Sequence, residues 1–470
     1  MYLSVAASCL LTAPAIAQDA EVSSSSTFLS TEVMNALAQF EQHDKTFDPG
    51  TVDRHFDTFT LAEAIEIAIA TNPEIGLLSS NKRATSKELE QAEALFRPSV
   101  DLSADAGVEY TDNPGDEGPL EDDETLGRYR TSLTISQLLY DGGGSFQEKQ
   151  RQKARVLSAA NRQREGAELI GLSVVEFYLE IIRRRELLDI AQDNVETHRD
   201  IMSDIEENLN LGIASRADLL QVQARLEDAL ASVNDIKRQL NIARANFKRE
   251  VGARPYNLIS PRPPRDLLAA NLEQEVYEAI DNSPTLSIFD ADIEVAAAEM
   301  QAARASLFPE VNFQVNGRTG DNLNGIQGTD HNASALVVMN WNLYRGGGDT
   351  ARIEEFKYRH SRAKEEYAEA SREVENDVRT SWADLEAAER RFENFRRQAS
   401  ANEELVDAYK DQFFANRRTL LDVLDAQNEL FVSRSAAVNE KYLGQFTTFR
   451  LLSLKGKLLD SLNINVNEKI

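Results

Sequence analysis

Leu139-Tyr140-Asp141-Gly142-Gly143-Gly144 and Leu343-Tyr344-Arg345-Gly346-Gly347-Gly348 are one phrase written twice in the same chain. Each closes a run in which apolar and polar residues alternate, and each opens a long stretch without proline. A strand that must bend at once into a helix needs positive φ, which glycine reaches without a Cβ penalty. Gly142, Gly143, Gly144, Gly346, Gly347 and Gly348 therefore read as strand-to-helix joints. A phosphate cradle is the other use of such glycines, but neither copy has the G-x-G-x-x-G or G-x-x-x-x-G-K spacing. Pro98 and Pro309 read as the reverse joint, helix into strand, because proline removes a helix donor.

Working outward, the repetition covers most of the chain. Asn72-Pro73-Glu74 returns as Ser283-Pro284-Thr285, and Leu95-Phe96-Arg97-Pro98 returns as Leu307-Phe308-Pro309, the prolines being 211 residues apart in both cases. Tyr140 and Tyr344 lie 204 apart, and so do Asp218-Leu219-Leu220 and Asp422-Val423-Leu424. Constant offsets between matching landmarks indicate an internal duplication. The first copy runs over residues 59–252 and the second over 272–459, each in the order helix, two strands, very long helix, second helix. Residues 253–271 form a linker, with four prolines in its first part, 253–265.

In the first strand, Val100, Leu102, Ala104, Ala106, Val108 and Tyr110 alternate with Asp101, Ser103, Asp105, Gly107 and Glu109. Tyr129, Thr131, Leu133 and Ile135 continue the pattern, as do Val311, Phe313 and Val315, and then Ala335, Val337, Met339, Trp341 and Leu343. Residues 112–124 and the Gly-rich 317–328 read as the outward loops. Any one such strand would also suit a soluble sandwich. The chain offers only four, however, and an open edge cannot face lipid, so a membrane barrel needs further subunits to close. Three protomers would give twelve strands and two would give eight, both even counts. Residues 145–211 hold no proline and two interior glycines, and 350–415 hold neither residue type. At ~1.5 Å per residue each helix extends roughly 100 Å. The returning helices, 215–251 and 419–459, carry apolar residues at spacings of three and four, as in Leu219, Val222, Leu226, Leu230, Val233, Ile236 and Leu240, which is a coiled-coil seam.

Composition narrows the function. The 470 residues include 78 acidic and 51 basic ones, and a net charge of −27 excludes a phosphate backbone as partner. A charged fraction of 27% with 7% aromatics suits long solvated helices. Residues 1–17 read as a signal peptide: a short apolar run ends in Ala15-Ile16-Ala17, followed by polar residues. Cys9, the only cysteine, lies in the middle of that run, away from where a lipidated cysteine would stand. Residues 18–56 read as a loosely ordered arm. After residue 20 no stretch approaches the ~18 apolar residues of a membrane helix, which leaves a soluble protein or a β-barrel. The five histidines show no metal spacing, and no nucleophile elbow or H-E-x-x-H occurs, so neither enzyme, metal site nor cofactor is expected.

Taken together, these features resemble the TolC-like outer-membrane channel-tunnels of efflux pumps and type I secretion. The resemblance rests on the duplication, the two Leu-Tyr-x-Gly-Gly-Gly joints and the tip segment Asn416-Arg417-Arg418-Thr419-Leu420-Leu421-Asp422-Val423-Leu424-Asp425-Ala426. It implies an α+β membrane protein: a homotrimer with a twelve-stranded β-barrel in the outer membrane of a Gram-negative bacterium, four strands per protomer. A long α-helical coiled-coil barrel would extend into the periplasm, with the linker and the tail, 460–470, in an equatorial belt. It also implies a periplasmic adaptor and an inner-membrane ABC or proton-driven transporter as partners. A periplasmic adaptor or a structural rod would share the coiled coil, but an adaptor has one hairpin flanked by β-domains, and a rod accounts for neither strands nor signal.

The helix reversals near 212–215 and 416–419 would form the far tips. Ser215 and Thr419 suit N-caps, with Asp218 and Asp422 at the third helical position, where carboxylates commonly serve the helix end. Asp422 and Asp425, three apart, share a helix face. In a trimer they would form stacked carboxylate rings favouring cations. The resemblance places these two at a closed periplasmic aperture, and pairs Arg418 with Asp218 as a tie to the neighbouring hairpin. The family has tyrosine where Phe413 stands, so that hydroxyl is missing from the latch.

Overall fold

A computed structural model describes residues 58–111, 124–324, 326–415 and 417–464. The expected signal segment, the arm, most of the acidic loop 112–124 and the tail beyond residue 464 lie outside these. The described elements follow the duplicated order. In the first copy α1 (Leu61–Thr71) and α2 (Pro73–Ala94) lead into β1 (Ser99–Thr111) and β2 (Glu124–Tyr140), then α3 (Gly144–Asn210) and α4 (Arg216–Val251). In the second copy α5 (Leu272–Asn282) and α6 (Pro284–Ala305) lead into β3 (Glu310–Leu323) and β4 (Ile326–Asn340). These are followed by α7 (Gly348–Phe414), α8 (Leu420–Leu454) and the short α9 (Leu458–Ser461).

The helix ends follow from local chemistry. Thr60 caps α1, and Glu63 returns the bond to the Thr60 backbone N–H. Pro73 and Pro284 stand in the first helical turn, where their missing N–H costs nothing. At the joints Gly142 and Gly143 take φ of 68° and 86°, and Gly346 and Gly347 take 64° and 86°. Gly144 and Gly348 already begin the helices. Asp141 secures the first joint by accepting from the N–H groups of Gly143 at 3.0 Å and Ser145 at 2.6 Å.

The strands form one antiparallel sheet in the order β1-β2-β3-β4. Ser99 pairs with Ser136 in the first hairpin and Glu310 with Asn340 in the second, so the offsets of 211 and 204 carry one register onto the other. One face is apolar: Val100, Leu102, Val108, Val337 and Met339 are 60–79% exposed. The other carries Arg130, which binds Asp105 at 2.8 Å, and Arg128, which binds Glu109 at 2.9 Å. The Gly-rich stretch 317–328 is not a loop. It is strand through Leu323 and again from Ile326. Glycine there serves the ladder, because a Cβ on Gly320 would stand 2.6 Å from the Tyr129 carbonyl oxygen. The returning helix of the second copy also ends earlier than 459. Leu454 is its last residue, and Gly456 at φ 63° turns the chain into α9.

The main core lies where the linker crosses the long helices. Phe59, Ile65, Tyr178, Phe247, Phe449 and Leu452 pack together there. The Tyr178 hydroxyl sits 2.7 Å from the carbonyl oxygens of both Phe59 and Ile259, tying the segment before α1 and the linker to α3. Beside this core, buried Glu168 of α3 accepts from the first two N–H groups of α9, Leu458 at 3.1 Å and Leu459 at 3.4 Å. Burial pushes its carboxyl up from 4.5 to about 8, against the lowering effect of those two bonds. Between these values the folded chain holds a proton that the unfolded chain has released. The stabilisation is therefore full below pH 4.5 and is lost as pH rises through 8. Wild type should thus melt a few degrees lower at about pH 9 than at about pH 6, relative to Glu168→Gln. Equal pH slopes in the two proteins would remove Glu168 as the source.

Candidate gate at the helix tips

Both long helices reverse by the same device. After Asn210, Gly212 takes φ of 75° and the Ile213 N–H returns to the Asn208 carbonyl at 2.8 Å. The second tip repeats this bond 204 residues on, Arg417 N–H to Gln412 carbonyl at 2.8 Å. Ser215 and Thr419 then cap the returning helices. Asp218 accepts from the Ser215 hydroxyl at 2.7 Å, and Asp422 from the Thr419 hydroxyl at 2.7 Å. The bonds from Thr419, with Arg418 behind them, hold the Asp422 carboxyl below its usual range. Beneath both turns Ile201, Ile205, Val222, Leu420, Val423 and Leu424 form an apolar cluster joining the two hairpins.

The named side chains fall into two groups. Arg418 stays on its own hairpin: its Nε donates to Gln412 at 3.1 Å, its guanidinium lies 4.3 Å from the Tyr409 ring centre, and Asp422 is 3.8 Å away. Among the described residues no ion pair joins Arg418 to Asp218 within the protomer. Phe413 packs against the tip cluster, 5.7 Å from Phe414, and lines a cavity of about 60 Å³ with Asp200, Asp204 and Lys410. Asp425 binds Arg225 of α4 at 3.0 Å. That bond bridges the two hairpins and was not legible beforehand, because Arg225 is one of many arginines at solvent positions of a seam. His198 is a second residue the sequence concealed. It is buried on α3 with an unpartnered Nδ1, and burial, with Arg225 and Lys410 nearby, lowers its pKa.

The arrangement is a cluster of polar and charged side chains over an apolar seat at the tips of the long helices. Among the described residues no group of three or more His, Cys, Asp or Glu could hold a metal. No described helix is long and apolar enough to cross a membrane. The family model for outer membrane efflux proteins matches residues 64–253 and 276–456, one segment for each copy of the duplication.

The chain belongs to the outer membrane efflux protein family. Its relatives include the outer membrane efflux protein BepC of Brucella suis, 22% identical over 409 residues, covering 87% of this chain and 88% of that one. Outer membrane protein TolC of Escherichia coli is 20% identical over 419 residues, covering 85% and 82%. The alkaline protease secretion protein AprF of Pseudomonas aeruginosa is 20% identical over 424 residues, covering 87% of each. Among solved structures, the Campylobacter jejuni CmeC outer membrane channel aligns with TM-score 0.75 at 13% identity, over 90% of this chain and 94% of that one. The Vibrio cholerae outer membrane protein VceC aligns with TM-score 0.72 at 16% identity, over 86% and 96%. The efflux protein is thus an outer-membrane transport conduit of the channel-tunnel fold, and not an enzyme.

Proposed function

We propose that the chain is one protomer of a homotrimeric exit duct, passive in itself and opened at its periplasmic helix tips. It serves a tripartite export system of the type I secretion or multidrug efflux class, receiving cargo from an inner-membrane ABC or proton-driven transporter through a periplasmic adaptor. The observation that carries this reading is the open sheet. Four strands in the order β1-β2-β3-β4 with an apolar face make an open sheet, which suits lipid only once further copies pair its outer strands. The tips supply the gate. Asp422 and Asp425 stand on one face of α8, and Asp218 closes the facing turn.

Arg418 stiffens its own tip through Gln412, Tyr409 and Asp422. Each exposed pair contributes about 0–1 kcal/mol, so three tips bias the closed state without locking it. Arg418→Ser should raise single-channel conductance in planar bilayers by a factor of roughly two or more, since 1 kcal/mol shifts an equilibrium about fivefold. A mutant pore with wild-type conductance would end the assignment of Arg418 to the gate.

A further inference from the structure

Charge is unevenly spread along the first long helix. Residues 144–164 of α3, next to the sheet, hold six basic residues and one acidic, whereas 165–210 hold four and twelve. Four of the six are taken up inside the chain: Arg151 by Glu148, Arg155 by Glu88, Arg162 by Asp292 and Arg164 by the Gly456 carbonyl. Lys149 and Lys153 remain. They meet Arg97, which follows α2 at the helix-to-strand corner, around a single carboxylate. Lys149 binds Glu93 at 2.9 Å, and with Arg97 and Lys153 behind it holds that carboxyl below its usual range. Arg97 and Lys153 are exposed and have no ion pair of their own among the described residues. Three cations thus share one anion, in a chain whose net charge is −27.

Apolar side chains stand on the sheet side of these cations. Phe146, Lys149 and Lys153 recur at spacings of four and three, so they lie along one face of α3, with Phe146 uppermost. Phe146 is 52% exposed, and Phe96, beside Arg97, is 46% exposed. The patch continues the apolar face of the sheet, because Gln137, which pairs with Phe313 on that face, donates to the Phe96 carbonyl at 3.1 Å. The second copy keeps the scaffold without the patch. By the offsets 211 and 204, Glu93, Arg97, Phe146 and Lys149 become Arg304, Phe308, Thr350 and Ile353, and Lys153 alone keeps its type, as Lys357. The joint and the long helix are therefore built without these residues, which leaves the patch free for a ligand.

We infer that Arg97, Lys149 and Lys153 bind the phosphate of an anionic phospholipid from the membrane leaflet on the helix side of the sheet, with its acyl chains against Phe146 and Phe96. Basic residues clustered at a membrane edge attract anionic headgroups, several-fold in affinity for each one. Glu93 takes one charge from the site and leaves it net positive. A free phosphate would satisfy the cations alone, whereas the exposed phenylalanines above them suit only a molecule that carries chains.

This inference rests on the reading of the sheet as lipid-facing, and lipid retention separates the two. Full-length protein in mild detergent is mixed with equal amounts of phosphatidylglycerol and phosphatidylcholine, passed through gel filtration, and the lipid it keeps is measured by thin-layer chromatography. Wild type should keep phosphatidylglycerol over phosphatidylcholine by about threefold or more. Salt at ~0.5 M should abolish the preference. Arg97→Gln with Lys153→Gln should remove it while the total lipid stays the same. Glu93→Gln should raise it, which a misfolded variant would not do. Lys357→Gln with Arg362→Gln, the same charge taken from α7, should change nothing. Equal retention of the two lipids by wild type, or an equal loss of preference in the α7 variant, overturns the site and leaves the lipid-facing sheet standing. Protein that keeps neither lipid and does not float with phosphatidylcholine vesicles overturns both.

Discussion

Lys455→Met should be the most destabilising single change where α8, the linker and α5 meet, costing about 3–5 kcal/mol. Lys455 is fully buried, and its Nζ reaches Glu275 Oε1 at 2.9 Å, Glu278 Oε2 at 3.2 Å and the Leu267 carbonyl at 2.9 Å. Glu275 is equally buried and also accepts the Ala269 N–H at 2.6 Å. One ammonium thus joins the end of α8, the linker and α5. Removing it leaves a carboxylate in the interior without its cation, which is where the energy goes, since a pair of fixed geometry contributes little beyond its own desolvation. The check is the thermal midpoint by helical circular dichroism. Lys455→Met should lower it markedly, and adding Glu275→Gln should recover the greater part while keeping an acceptor for Ala269. If the double variant melts below the single one, stranded charge is not the cause.

Asp422→Ala combined with Asp425→Ala should abolish most of the pore's preference for cations and its block by multivalent cations. In the proposed trimer the change removes six carboxylates from the constriction, and rings of like charge set ion preference at close quarters. The two positions are unequal. Asp425 is partly neutralised by Arg225 at 3.0 Å, whereas Asp422 spends its lone pairs on Thr419 and keeps Arg418 at 3.8 Å. Arg225→Gln should therefore act in the opposite direction, releasing Asp425 and strengthening cation block several-fold. Reversal potentials under a salt gradient test both. Unchanged selectivity in the double alanine variant would move the filter away from the tips, and unchanged block in Arg225→Gln would show that the bridge does not mask Asp425.

Much of this was legible in advance because the chain states it twice. The joints at Gly142 and Gly346, the corner prolines and the caps at Ser215 and Thr419 act within a few residues of themselves, so local chemistry marks them. Where a local signal misled, as with the glycines of 317–328, the reason lay across the sheet. Gly317 and Gly320 look like loop residues alone, yet Gly320 is small because Tyr129 lies beside it. The early end of α8 has the same kind of cause: Gly456 turns the chain so that α9 can reach Glu168, a partner nearly 300 residues away. Arg225 and His198 were hidden among ordinary seam residues, since their meaning depends on Asp425 and on burial between hairpins.

By itself the sequence determined the duplication, the order of elements, the alternating strands and the length of the helices. These depend on periodicity and on backbone chemistry at single residues, which any segment carries wherever it is placed. Only the tertiary structure decided which charges meet, Lys455 with Glu275 and Arg225 with Asp425. Those outcomes depend on distances between segments far apart in the chain, and such distances exist only after the helices have packed.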